Sequence, residues 1–186
     1  MSDVKSLFEP KSVVLIGSSK IRERVGMTSP WLFESVIYNM KKHFKGKTHV
    51  VDVEGKKGYK TLDGLPEPPE LGVVMLPPEH SIEQSEKCAR TGVKALVAIT
   101  GGYKNSQRQQ LTSLRRDYGI RILGPNTVMG IINTSNGLNT TFERDVMPEK
   151  GNIALISQSG GVGACLLDWA CFYLSLIHIS EPTRPY

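Results

Sequence analysis

The stretch SVVLIGSSKIRERVG, residues 12–26, decides the fold. A short β-branched run that ends in glycine reads as a buried strand, and such an ending lets the backbone approach an anion at the N-terminus of the following helix. The Gly-rich turn that follows, GSSKIRERVG at residues 17–26, is of a kind that can cradle a phosphate. Gly17 and Gly26 lie too far apart for the tight GxGxxG spacing of a dinucleotide fingerprint.

Working outward, short apolar runs alternate with longer amphipathic ones. Residues 29–44, SPWLFESVIYNMKKHF, supply Ser29 as N-cap, Pro30 at the first helical position and Leu32, Val36, Ile37 and Met40 at helical spacing. THVVDV, LGVVMLP, KALVAIT and IRIL predict four further strands. Helices are predicted through EHSIEQSEKCAR, ended by Gly92, and through NSQRQQLTSLRRDY, ended by Gly119. Five strands joined by crossover helices give an α/β fold, a doubly wound Rossmann-like parallel sheet whose ligands bind at the carboxyl ends of the strands. PEKGNIALISQSGG, residues 148–161, adds a linker, a new strand and a second Gly-rich turn, the first strand and helix of a second α/β domain.

The 186 residues suffice for one domain and the start of another. Lys and Arg number 23 against 18 Asp and Glu, a net charge of +5 that suits a polyanionic small ligand. The basic residues are scattered, without interleaved aromatics or a zinc or helix-turn-helix pattern, so nucleic acid is not expected. Cys88, Cys165 and Cys171 form no CxxC pair and read as small buried apolar residues in a reduced, cytoplasmic protein. No secretory signal opens the chain, and the apolar stretch 164–179 is interrupted by Asp168 and too short to span a membrane.

His43, His49, His80 and His178 pair with no Ser, Cys or acid at motif spacing, so no catalytic residue and no metal site is assigned. Asp52 stands at the end of the second strand, where an acid can bind a nicotinamide dinucleotide. That keeps an NAD-dependent oxidoreductase as an alternative, although a solvated turn carboxylate is the plainer reading.

Five ordered segments, LFEPKSVVLIGSS, YKTLDGLPE, GVKALVAITGGY, GIRILGPNTVMGIINTSNGLNTTF and GNIALISQSGG, resemble the NDP-forming acyl-CoA synthetases. That family includes ADP-forming acetyl-CoA synthetase and the succinyl-CoA synthetase alpha subunit. The resemblance implies coenzyme A contacts at Gly17, Ser18, Ser19 and Lys20, at Ile99, Thr100 and Gly101, and at Gly124, Pro125 and Asn126. It implies a phosphate site at Ser159 and Gly160. The turn after the second strand is shorter than the family's usual basic turn, with Lys56 as its coenzyme candidate, and Thr127 stands where succinyl-CoA synthetases often carry Cys.

The family's reversible reaction joins an acid to coenzyme A at the expense of ATP, through an acyl phosphate and a phosphohistidine. No residue here matches that histidine, so the chain implied is a coenzyme A-binding portion, inactive alone. ATP or ADP with Mg2+ would be handled by an ATP-grasp domain or subunit within an oligomer. A stand-alone coenzyme A-binding regulatory protein is the other alternative.

The last stretch, LSLIHISEPTRPY at residues 174–186, resembles a translated sequencing adapter over LSLIHISEPTR. The domains expected are therefore 1–147 for coenzyme A binding, 148–173 for the start of a ligase domain, and 174–186 as a non-native tail. On that reading 151–173 lacks the sheet it would join, leaving Leu166, Leu167, Trp169 and Phe172 partly exposed.

Overall fold

The computed structural model describes residues 4–21, 28–55, 57–173 and 175–180. The opening run forms β1 (Ser12–Gly17), buried along its whole length. It lies between β2 (Lys47–Asp52) and β3 (Leu71–Val74), with β4 (Ala95–Ala98) and β5 (Arg121–Leu123) beyond. All five strands are parallel, in the order β2-β1-β3-β4-β5. A short helix α1 (Lys5–Phe8) precedes them, and α2 (Pro30–His43), α3 (Pro78–Arg90) and α4 (Asn105–Tyr118) make the main crossovers.

The two-residue period of a strand divides this sheet between two cores. Val13, Leu15, Val73 and Val97 meet Leu32, Phe33, Val36 and Met40 of α2 on one face. Val14, Ile16, Val74 and Leu96 meet Cys88 and Ala89 of α3 and Leu111 and Leu114 of α4 on the other. Helices cover both faces, which is why the strands read as unbroken apolar runs. The helix ends follow the sequence signals. Leu32 N–H donates to Ser29 Oγ at 3.1 Å with Pro30 at the first position, and Gly119, at φ +66°, caps α4.

A second sheet grows from the hairpin β6 (Ile131–Asn133) and β7 (Leu138–Asn139), then takes in β8 (Glu149–Ile156) and β9 (Ser175–Ser180) in the order β7-β6-β9-β8. α5 (Gly160–Tyr173) joins β8 to β9. The expectation that 151–173 lacks a sheet is corrected here: β9, drawn from the adapter-like stretch, pairs antiparallel with β6 and parallel with β8. An aliphatic run has strand propensity whatever its origin, and β9 pairs the edge of β6 that faces away from β7 together with one edge of β8.

The side-chain layer over this sheet stays thin. Leu167 and Ala170 pack with Met129 and Ile132. Trp169 and Phe172 are exposed, as are Ile153, Ile156 and Val162 on β8 and α5. Leu166 is half-buried and Leu167 buried, so the partial exposure expected of these four apolar residues of α5 holds for Leu166, Trp169 and Phe172 and is corrected for Leu167, which packs against Met129 and Ile132. The cysteines divide likewise: Cys88 is buried, Cys171 half-buried and Cys165 exposed, against the reading of all three as buried.

The hairpin is fastened to α2 by Asn39. Its Nδ2 donates to the carbonyls of Thr141 at 3.1 Å and Glu143 at 2.9 Å, and its Oδ1 accepts the Asp145 N–H at 2.8 Å. Among the described residues no helix is long and apolar enough to cross a membrane.

Candidate functional site

The chain leaves β1 toward β2 on one side and returns to β3 on the other, so the strand order switches between β1 and β3, and in folds of this kind the carboxyl ends at that point flank the ligand crevice. Gly17 ends β1 there. A Cβ on it would collide with the Phe33 ring of α2, so the glycine lets the helix close onto the strand. Ser18 is buried at the lip, Ser19 half-buried and Lys20 exposed. Ser18 Oγ accepts the backbone N–H of Lys20 at 3.1 Å and of Ile21 at 3.2 Å, turning the chain sharply out of the strand, and donates to Glu54 Oε2 at 3.3 Å.

Below this lip Asp52 ends β2 with 1% of its surface exposed. Asp52 Oδ1 accepts the N–H of Ser19 at 3.1 Å and of Gly55 at 2.8 Å; Oδ2 accepts Ser19 Oγ–H at 2.6 Å and the Lys57 N–H at 3.4 Å. Burial by itself raises the carboxyl's pKa, but the hydroxyl of Ser19 and the amides of Ser19, Lys57 and Gly55 outweigh it and hold the group below the usual carboxylate range. The reading of Asp52 as a solvated turn carboxylate is therefore corrected. Its two oxygens have roughly four acceptor sites, and protein donors take them. A nicotinamide ribose would have to displace those donors. The signal available in the sequence was Asp followed three residues later by Gly, a spacing that lets an Asp side chain bond its own turn.

The turn after β2 folds back on the strand through Tyr59 N–H to Val50 O at 2.8 Å and Asp52 N–H to Tyr59 O at 2.9 Å. Lys57 Nζ reaches Glu34 Oε1 on α2 at 2.6 Å. Lys56, the coenzyme candidate in this turn, lies outside the described residues.

Across the crevice, the loops after β4 and β5 hold each other. Asn126 N–H donates to Thr100 O at 2.8 Å, and Thr100 Oγ1 donates to Leu76 O at 2.8 Å. The Asn126 side chain lies over Gly101, where a Cβ would come within 2.5 Å of its Oδ1. Asn126 is exposed and Gly124 half-buried, whereas Pro125 and Gly101 are buried. Ile99 and Thr100 have no exposed surface, because Ile99 continues the strand alternation into the core and the Thr100 hydroxyl serves Leu76. In this conformation they back the loop from behind, in place of the direct lining expected of them.

The second Gly-rich turn is separate. Val162 N–H donates to Ser159 Oγ at 3.4 Å and Gly163 N–H to Ser159 O at 2.8 Å, so Ser159 caps α5, and Gly160 begins it. Ser159 N–H is taken by Ser157 Oγ at 3.1 Å. A Cβ on Gly161 would meet nothing within 4 Å, which leaves open space beside the first turn. A helix N-terminus of this kind favours an anion.

The histidines lie elsewhere. His43 Nε2 is 3.6 Å from Asp145 Oδ1 at the far end of α2, His49 stands edge-on to Tyr59, and His80 is exposed in the first turn of α3. Among the described residues no group of three His, Cys, Asp or Glu is gathered to hold a metal ion.

Residues 11–133, well over half of the chain, match the family described as CoA binding domain, and the chain belongs to it. Within that class its relatives include ADP-forming acetate–CoA ligases and their alpha subunits. It is 33% identical over 168 residues to the acetate–CoA ligase [ADP-forming] II subunit alpha of Pyrococcus furiosus, covering 84% of this chain and 35% of that one. It is 34% identical to the acetate–CoA ligase [ADP-forming] of Methanocaldococcus jannaschii, covering 90% of this chain and 24% of that one. The fold superimposes on Ca. Korarchaeum cryptofilum dinucleotide forming acetyl-coenzyme A synthetase 1 in complex with phosphate and ADP, with a TM-score of 0.81 and 27% identity over 98% of this chain and 40% of that one. The chain thus spans about a third or less of the length of the curated relatives it matches here.

Proposed function

We propose that this chain is the coenzyme A-binding portion of an ADP-forming acyl-CoA synthetase, and that the crevice between β1 and β3 receives the coenzyme. The observation that carries the reading is the switch in strand order between β1 and β3, with the exposed Lys20 in the turn that follows β1, in a chain of the CoA-binding family. The donors fit the group: an exposed lysine and a strand ending in glycine suit a diphosphate through charge neutralisation and close backbone approach.

In this reading Gly17, Ser18, Ser19 and Lys20, with Lys56 from the neighbouring turn, hold the phosphates. Gly101, Gly124, Pro125 and Asn126 border the path toward the reactive end, and Ile99 and Thr100 support that loop. When bound, coenzyme A supplies the thiol that becomes acylated. The chain's own part is to bind and orient it. Ser159 and Gly160 offer a phosphate the first amides of α5.

The whole protein would convert acid, coenzyme A and ATP to acyl-CoA, ADP and phosphate. ATP or ADP and Mg2+ would bind an ATP-grasp part, and the chain alone would be inactive because no residue of it matches the family's phosphohistidine.

The test is isothermal titration of the chain with coenzyme A, dephospho-coenzyme A and NADH. Saturable coenzyme A binding without NADH binding is the expected result. Binding of NADH and not of coenzyme A would overturn the proposal. Incubation with acetate, coenzyme A, ATP and Mg2+ should release no ADP.

A further inference from the structure

Among the described residues Asp52 is the one buried acid at the carboxyl ends of β1 and β2, and its position is electrostatically awkward beneath a turn read as a diphosphate cradle. Its geometry resolves the conflict. Ser19 belongs to the β1–α2 turn, whereas Gly55 and Lys57 belong to the turn after β2, and the carboxylate binds donors from both. A second feature is built around the same bonds. A Cβ on Gly55 would fall among Asp52 Cγ, Asp52 Oδ2 and Ser19 Oγ, all closer than real Cβ atoms approach, so that position has room for the clasp only because it carries no side chain. A third feature ties the turn down beside it, since Val53 N–H donates to Gly17 O at 3.0 Å.

We propose that Asp52 is a positioning residue for coenzyme A: it touches no coenzyme atom, but it clasps the turn after β1 to the turn after β2 and so fixes where Ser18, Lys20 and the lysine-bearing turn stand relative to one another. The proposal rests on the coenzyme A reading of the crevice. It adds a specificity consequence. A carboxylate at the end of the second strand is the group that holds the ribose hydroxyls of a nicotinamide dinucleotide in dinucleotide-binding folds. Here both of its oxygens face protein donors, so the same residue that orders the cradle for one ligand is withheld from the other.

Substitution separates a positioning role from a general stabilising one. Asp52→Asn keeps one carbonyl oxygen for the Ser19 and Gly55 amides, but presents N–H groups toward the Lys57 amide. Asp52→Ala removes all four bonds, and Gly55→Ala leaves the carboxylate while filling the clasp. Each variant of the full chain is titrated with coenzyme A at a temperature where circular dichroism shows it folded. Amide hydrogen exchange is followed at Ser19, Gly55 and Lys57.

The expected result is coenzyme A affinity weakened roughly tenfold or more in Asp52→Ala and Gly55→Ala, with Asp52→Asn in between. Loss of exchange protection should be confined to those amides. Folded variants that bind coenzyme A as tightly as the unaltered chain overturn the positioning role and leave the coenzyme A reading standing. If the unaltered chain itself binds no coenzyme A, the underlying reading fails, and this one with it. Should Asp52→Ala not fold, Gly55→Ala and Asp52→Asn decide the matter by the same two readouts. NADH binding gained by folded Gly55→Ala, which keeps the carboxylate but disturbs its clasp, would support the specificity consequence, and NADH binding by the unaltered chain would overturn it.

Discussion

Replacing Gly124 with alanine should bring two separable penalties. Its φ is +103°, a setting in which an L side chain is strained by about 1–3 kcal/mol. An added Cβ would also lie under 3.0 Å from the Ala98 carbonyl oxygen and at 3.0 Å from Thr127 Cγ2. Neither neighbour moves freely, since Ala98 ends β4 in the buried sheet and Thr127 is fully buried. Overpacking of this kind costs about 1–3 kcal/mol.

The sum for Gly124→Ala, about 2–6 kcal/mol, is a large share of the roughly 5–15 kcal/mol that holds a typical domain folded. Gly119→Ala supplies the control. Its φ of +66° is also on the left-handed side, but an added Cβ meets nothing within 4 Å, so only the backbone strain of about 1–2 kcal/mol remains. Urea unfolding followed by far-ultraviolet circular dichroism gives both values. Destabilisation of Gly124→Ala within about 0.5 kcal/mol of Gly119→Ala, inside the usual scatter of surface substitutions, would refute the inferred collision with β4.

Three further outcomes are expected. Because the folded pKa of Asp52 lies below its unfolded value of about 3.9, its contribution to stability is complete above roughly pH 4 and is lost as the pH falls through the folded value. The difference between the unaltered chain and Asp52→Asn should therefore shrink on acidification, and a constant difference down to the lowest pH at which both fold would contradict this. Burial pushes the Cys88 thiol up to about 12, so a disulfide reagent at pH 8 should label exposed Cys165 first, Cys171 more slowly and Cys88 only on unfolding. Asn39→Leu should destabilise the chain by about 1–3 kcal/mol, since it leaves the buried Thr141 carbonyl without the Asn39 donor and removes the part-buried bonds to the Glu143 carbonyl and the Asp145 amide; a change below about 0.5 kcal/mol in urea unfolding would show that water replaces those bonds.

The sequence by itself determined the parallel sheet. Residues such as Val13 to Ile16 must be covered on both faces, and Ser29, Pro30, Gly92 and Gly119 act within a few residues of their own positions, so their effects are readable locally. The crevice could be placed at the strand ends for the same reason, because a strand ending in Gly17 leads straight into the Ser18–Lys20 turn. Tertiary structure decided what those loops do to one another. The role of Asp52 depends on donors 33 residues away at Ser19 and on close packing at Gly55. Whether Thr100 faces a ligand or Leu76, and whether Cys165 is covered, likewise turn on neighbours distant in sequence. So did the second sheet, where β9 is defined by the edges of β6 and β8 that it joins. Local rules fix which segments become strands and helices, but the partner of a buried polar group is set only when separate segments meet.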